Sequence, residues 1–225
     1  METHFEMELD GLKQKLLLMA SHAEIAVNRA VEALVTRNYD LAIQIKDDDA
    51  VLDRFEIEVD DLSIHLLAKA PLASDLRLVT VAMKISQNLE RVGDEASKIA
   101  KRARDLSKEP PLKLNLELPK MAALTLGMLK AALDTFVNHD PAAARAVIPR
   151  DKEVDALNKK INGELTLYMM ENRDSIPRCL NLIIASRSLE RIADHAKNVA
   201  EEVVYLYEAQ DIRHSKAKAA EKPAA

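Results

Sequence analysis

The segment Leu89-Glu90-Arg91-Val92-Gly93-Asp94-Glu95-Ala96 returns one hundred positions later as Leu189-Glu190-Arg191-Ile192-Ala193-Asp194-His195-Ala196. Asn38-Tyr39-Asp40 and Asn138-His139-Asp140 share that offset. Asp49-Ala50-Val51-Leu52-Asp53 pairs with Asp151-Lys152-Glu153-Val154-Asp155 at an offset of 102. These matches put a two-residue slip between Asp140 and Asp151, where Pro149 sits. A repeat of this length confines the chain to architectures that can be built twice from one supersecondary unit.

The unit itself reads as three helices. Prolines divide the chain into long proline-free stretches, and each carries apolar residues at a 3–4 spacing. In the first half the seams run Phe5, Leu9, Leu12, Leu16, Met19, Ala23, Ala26, Ala30, Ala33; then Leu41, Ile45, Leu52, Phe55, Val59, Leu62, Leu66; then Leu78, Ala82, Ile85, Leu89, Val92, Ala96, Ile99, Ala103. Each predicted helix is about 30 residues, or roughly 45 Å long. In the second half one helix runs from Leu118 to Asn138. The next starts at Asp140-Pro141, is kinked or interrupted at Pro149, and continues to Tyr168. The last spans Ser175 to Ala209. The predicted fold is all-α: two tandem, sequence-related three-helix bundles, six long helices in all. Their bounds are residues 1–108 and 118–209, with a linker at 109–117 around Pro110-Pro111 and a disordered tail at 210–225. Whether the halves form two domains or one six-helix body stays open at this level.

Composition agrees. Only 4 of 225 residues are Gly and 7 are Phe or Tyr, with no Trp, so Gly-rich sheet turns and clustered phosphate loops are excluded. A net charge of −5 argues against non-specific nucleic-acid binding. The single Cys179 lies in an apolar run, reads as a small buried hydrophobe and suits a reducing compartment. No apolar run has the roughly 18–20 residues of a membrane span. The acidic start (Glu2, Glu6, Glu8, Asp10) does not resemble a signal peptide. A cytoplasmic location is expected.

Each half carries two acidic pairs at i,i+4: Asp49/Asp53 and Glu90/Asp94, then Asp151/Asp155 and Glu190/Asp194. Residues four apart share a helix face, and like charges there are mildly destabilising. In a heptad with Leu89 and Val92 at a and d, Glu90 and Asp94 fall on the outer face, where Arg91 or Lys98 can balance them. Solvated surface charge is one reading of such pairs. Their recurrence supports another, an oxygen-rich patch suited to hard divalent cations or iron. No catalytic triad, phosphate loop or Glu-x-x-His pair is present. His22, His65 and His139 are isolated and read as packing or surface residues.

The chain resembles the phosphate-uptake regulator family, PhoU, over about residues 5–208. The resemblance rests on Pro71-Leu72-Ala73-Ser74-Asp75-Leu76-Arg77, on the two Leu-Glu-Arg segments, and on the paired Asp motifs. It implies a non-catalytic, homodimeric adaptor. Such an adaptor represses phosphate uptake and the phosphate-starvation response through the sensor histidine kinase PhoR and the transporter ATPase PstB. It also implies divalent metal or iron ions at Asp49, Asp53, Glu90, Asp94, Asp151, Asp155, Glu190 and Asp194. No nucleic-acid partner is expected, and any membrane contact is peripheral. Two other readings are a metal-dependent phosphoryl hydrolase at the same carboxylates and a purely structural bundle. The second copy departs from the family pattern in carrying Ala193 for the usual Gly, and the first in carrying Glu95 for the usual His.

Overall fold

The computed structural model describes residues 4–69 and 72–213, apart from the side chains of residues 46–49. Pro71 and residues 214–225 of the expected tail lie outside the described residues. Every regular element among those described is helical: α1 His4–Thr36, α2 Tyr39–Gln44, α3 Lys46–Leu67, α4 Ala73–Ser107, α5 Leu118–Val137, α6 Pro141–Val147, α7 Asp151–Glu171 and α8 Ile176–Glu208. Short 3₁₀ turns, Ile148–Arg150 and Arg173–Ser175, precede α7 and α8.

The middle helix of each half is split. In the second half Pro149 causes it, because proline lacks the N–H that the helix ladder needs. The first half breaks at Ile45, where the sequence shows no breaker and reads as one stretch from Leu41. Ile45 stays in the right-handed region (φ −68°, ψ −21°) and is fully buried. The break coincides with that burial, a tertiary feature.

The geometry also moves the slip in the repeat. Arg37 and His139 both adopt left-handed φ of 56°, and each is followed by a capping residue. Asn38 caps α2 through Leu41 N, and Asp140 caps α6 through Ala143 N. The closing bonds Asn38 N→Ala33 O and Asp140 N→Thr135 O are both 3.0 Å. All these equivalences run at 102, so the shared Asn38/Asn138 offset is coincidental. Ser86 meets Met19 as Ser186 meets Met121, at 3.3 and 3.4 Å, which pairs offset 102 on the first helices with offset 100 on the third. The slip therefore lies in the turn before α4 and α8, not at Pro149.

Helices α4 and α8 pack against each other at the centre. Helices α1 and α3 flank α4, while α5 and α7 flank α8, and α1 also meets α5. Small seam residues such as Ala23, Ala26, Ala96 and Ala196 are at most 2% exposed, which lets the backbones approach. Buried residues from both halves form one continuous core. Residues 109–117 lie along it, with Leu112, Leu114 and Leu116 partly buried. Arg37 donates to the carbonyls of Leu106 and Glu109, and Arg178 donates to Pro110 O at 3.0 Å, holding this segment down. None of the described helices is long and apolar enough to cross a membrane.

Gly93 is needed for space rather than for conformational freedom. No glycine has positive φ, but a Cβ at Gly93 would overlap Leu52 Cδ1 on α3. At the repeat-equivalent positions stand Ala193 and Val154, so one methylene has moved across the contact. Gly93→Ala is therefore expected to lose about 1 kcal/mol net, overpacking outweighing improved helix propensity. Leu52→Val alone should cost about 0.5–1.5 kcal/mol. Combined, the two should lose clearly less than their sum in urea denaturation. Strict additivity would show that the contact is not what excludes alanine.

Candidate functional site

Glu90 and Asp94 do not point from an outer face into water, whereas Asp53 on α3 is exposed. Helix α4 is flanked on several sides, so Glu90 and Asp94 lie in the seam where α3 packs against it. Glu90's side chain is only 14% exposed and Asp94's 35%. Burial pushes the Glu90 carboxyl above its ordinary range, and the charges of Asp94, Glu56 and Asp53 add to the effect. Burial likewise raises Glu56, helped by Asp60, Asp53 and Asp94. The first seam site thus gathers Asp53 and Glu56 from α3 with Glu90 and Asp94 from α4. Asp49 is on the same helix, but its side chain lies outside the described residues. Arg91 sits at the rim, its Nε 3.3 Å from Glu90 Oε2 and one terminal nitrogen 3.3 Å from Asp94 Oδ2. Lys98 is 4.0 Å from Asp94.

The second seam, between α7 and α8, gathers Asp151, Asp155, Glu190 and Asp194. Burial raises Glu190, as do Asp194, Asp155 and Asp151. Burial also raises Asp194, with Asp151 the next cause. Asp151 is buried, and Lys197 Nζ lies 2.8 Å from its Oδ2 and 3.8 Å from Asp194 Oδ1.

A groove along α4 and α8 runs between the seams, lined by Arg91, Asp94, Glu95 and Lys98 from one repeat and Arg191, Asp194, His195 and Asn198 from the other. Buried Glu95 accepts from Lys98 at 2.9 Å and Arg191 at 3.2 Å. His195 Nδ1 is 2.9 Å from Asn88 Oδ1, an acceptor that assigns the proton to Nδ1. Burial holds the His195 pKa below its ordinary value, so the ring is neutral at pH 7. His22 packs on Phe55 and His139 on Tyr207, while His65 lies 3.5 Å from Glu8, all away from the seams. Cys179 is buried.

The donor set fits a hard cation. All candidate ligands are carboxylate oxygens. Glu90 Oε2 and Asp151 Oδ1 are buried without a hydrogen bond, although Arg91 stands 3.3 Å from the first and Lys197 pairs with the other oxygen of Asp151. Among the described residues no three such groups converge into a ready cage. A bound divalent ion would give these two oxygens a partner that no hydrogen bond provides.

Two seam residues were missed by sequence reasoning. Glu56 carries a usable signal, since it stands three positions after Asp53 on the same helix face. Lys197 stands three after Asp194, but its partner Asp151 is 46 residues away, beyond any local pattern.

The raised carboxyls imply a signed pH effect in metal-free protein. The folded Glu90 and Glu190 bind their protons more tightly than the unfolded chain does. At neutral pH their ionised forms therefore lower stability, and this penalty vanishes as pH falls through the folded pKa. Glu90→Gln and Glu190→Gln should each stabilise the metal-free protein at neutral pH by about 0.5–1 kcal/mol. The gain should shrink as pH approaches the ordinary carboxylate value of 4.5. Melting temperatures across that pH range check this, and a gain independent of pH would contradict it.

The PhoU domain profile matches residues 16–103 and again 118–203, so each match contains one seam site. The chain belongs to the PhoU family. The phosphate-specific transport system accessory protein PhoU homolog of Pseudomonas aeruginosa is 41% identical over 212 residues, covering 93% of this chain and 88% of that protein. The Escherichia coli accessory protein PhoU is 33% identical over 211 residues, covering 93% and 88%. The crystal structure of PhoU from P. aeruginosa superposes with a TM-score of 0.89 at 40% identity, covering 92% of this chain and all of that one. The phosphate transport system regulatory protein PhoU from Streptococcus pneumoniae gives 0.84 at 28% identity, covering 93% and 99%. The PhoU fold is thus shared across the described body.

Proposed function

We propose that this PhoU-family protein is a non-catalytic cytoplasmic regulator that restrains phosphate uptake and the phosphate-starvation response. It works as a homodimer that docks on the phosphate transporter ATPase PstB and on the sensor histidine kinase PhoR. The observation that carries this reading is the near full-length similarity to proteins named phosphate-specific transport system accessory proteins. The paired seams support a metal-binding component for divalent or iron ions, whose candidate ligands are Asp49, Asp53, Glu90 and Asp94 in the first seam and Asp151, Asp155, Glu190 and Asp194 in the second. Glu56 joins the first set. Exposed Lys, Arg, Asp and Glu on long helices suit reversible docking, because surface charge sets orientation and on-rate.

Deleting the gene in its own host should switch on a phosphate-starvation reporter in phosphate-rich medium, and the wild-type gene should silence it again. A reporter that stays off in the deletion strain overturns the reading. The purified protein should show no phosphoester turnover with Mn²⁺ or Mg²⁺. Turnover lost on Asp94→Asn and Asp194→Asn would make it an enzyme instead.

A further inference from the structure

We propose that the two seams are unequal cation sites: the α3–α4 seam takes a divalent cation, whereas the α7–α8 seam is filled by the ammonium of Lys197. The proposal rests on the metal-binding component of the function proposed above.

The repeat makes the comparison direct. Lys197 corresponds to Ser97, and Asn158 corresponds to Glu56. In the second seam the Lys197 ammonium bridges Asp151 and Asp194 at 2.8 and 3.8 Å, and its side chain is 31% exposed against 8% for Asp151. An ammonium seated on a buried carboxylate cannot leave without stranding that charge, so an incoming cation must meet it or displace it. Asn158 adds no free oxygen there, because its Oδ1 already accepts from Ser186 Oγ at 2.7 Å and Asn162 Nδ2 at 2.9 Å.

The first seam is built differently. Ser97 brings no charge, and Glu56 adds a carboxylate where the second seam has an amide. The nearby cations are Arg91, whose side chain is 54% exposed and makes no hydrogen bond to the buried Glu90 Oε2, and Lys98, which is 46% exposed, stands 4.0 Å from Asp94 and donates to Glu95. An exposed rim pair of this kind contributes little and can yield to a cation at small cost. The counterpart of Arg91, Arg191, instead pairs with Glu95 at 3.2 Å. The first seam therefore has its basic neighbours, Arg91 and Lys98, at the rim, whereas the second has Lys197 seated on a buried carboxylate.

The test titrates Mn²⁺ alone into metal-free, full-length protein by calorimetry, with circular dichroism as the fold control. Wild type should bind Mn²⁺ tightly at the first seam. Asp94→Asn should abolish that binding, and Asp194→Asn should leave it unchanged. Lys197→Ser should open a second site or tighten the weak one by roughly tenfold or more, and Asp194→Asn should remove the gain. Ser97→Lys, which keeps the Asp151–Lys197 pair, should weaken the first site by a similar factor. This reciprocal variant decides the matter if Lys197→Ser does not fold. Equal losses from Asp94→Asn and Asp194→Asn in wild type overturn the proposal. So does a folded Lys197→Ser that gains nothing, or a Ser97→Lys that loses nothing, while first-seam binding persists in wild type and the metal-binding component survives. If neither seam binds Mn²⁺ in wild type or Lys197→Ser, that component falls as well.

Discussion

Replacing Lys84 and Arg213 together by alanine is expected to cost about 3–5 kcal/mol of unfolding free energy, because it strands a buried charge. Glu202 on α8 is 4% exposed. Lys84 on α4 reaches its two oxygens at 3.1 and 3.3 Å, and Arg213, just beyond α8, reaches it at 3.2 Å. These contacts join the first repeat to the second and hold the segment after α8 against them. Lys84→Ala alone should cost much less, since Arg213 still faces the carboxylate. Adding Glu202→Gln to the double variant should restore most of the loss, because the amide carries no charge to desolvate. Urea denaturation of the four proteins reads this. A triple variant no more stable than the double would assign the loss to packing of the Lys and Arg stems.

Truncating the central leucines should have a comparable effect. Leu89 on α4 and Leu189 on α8 are both fully buried at equivalent places in the repeat. Each Leu→Ala change removes buried methyl groups and leaves a cavity that long packed helices close poorly. The expected cost is about 2–5 kcal/mol each, or roughly 5–15 °C in melting temperature for a chain of this size. Because α4 and α8 touch, the double variant should depart from additivity. A loss below about 1 kcal/mol at either position would show that the α4–α8 contact is looser than the structure makes it.

Much of the fold was legible from residue spacing. The 3–4 seams give the long helices, and most of their residues are buried, from Leu12 and Leu16 on α1 to Val199 and Val203 on α8, while Phe5, Leu41, Phe55, Leu62, Leu78 and Leu182 are only partly buried. The Pro149 interruption was legible because a missing N–H is a local fact. The break at Ile45 was not, because nothing in the residues around it forbids a continuous helix. The slip was misplaced because a shared Asn at 38 and 138 outweighed geometry that only the left-handed Arg37 and His139 reveal.

The candidate site was half legible. Its carboxylates could be named from their repetition, since i,i+4 pairs are local and recur. Their surroundings could not. A heptad assignment knows one seam per helix, whereas α4 touches α1, α3 and α8, so positions assigned to the outer face lie in a second seam. Burial of Glu90, the addition of Glu56 and the seating of Lys197 on Asp151 all follow from that.

By itself the sequence determined the helical class, the duplication, the family resemblance and the acidic positions, because periodicity and repetition are written along the chain. Tertiary structure alone decided that the halves share one core, that Glu90 and Asp151 are buried in seams rather than set in water, and that a lysine is seated on a buried carboxylate in the second seam. Those properties depend on contacts between helices tens of residues apart, and no local pattern of charge or hydrophobicity encodes them.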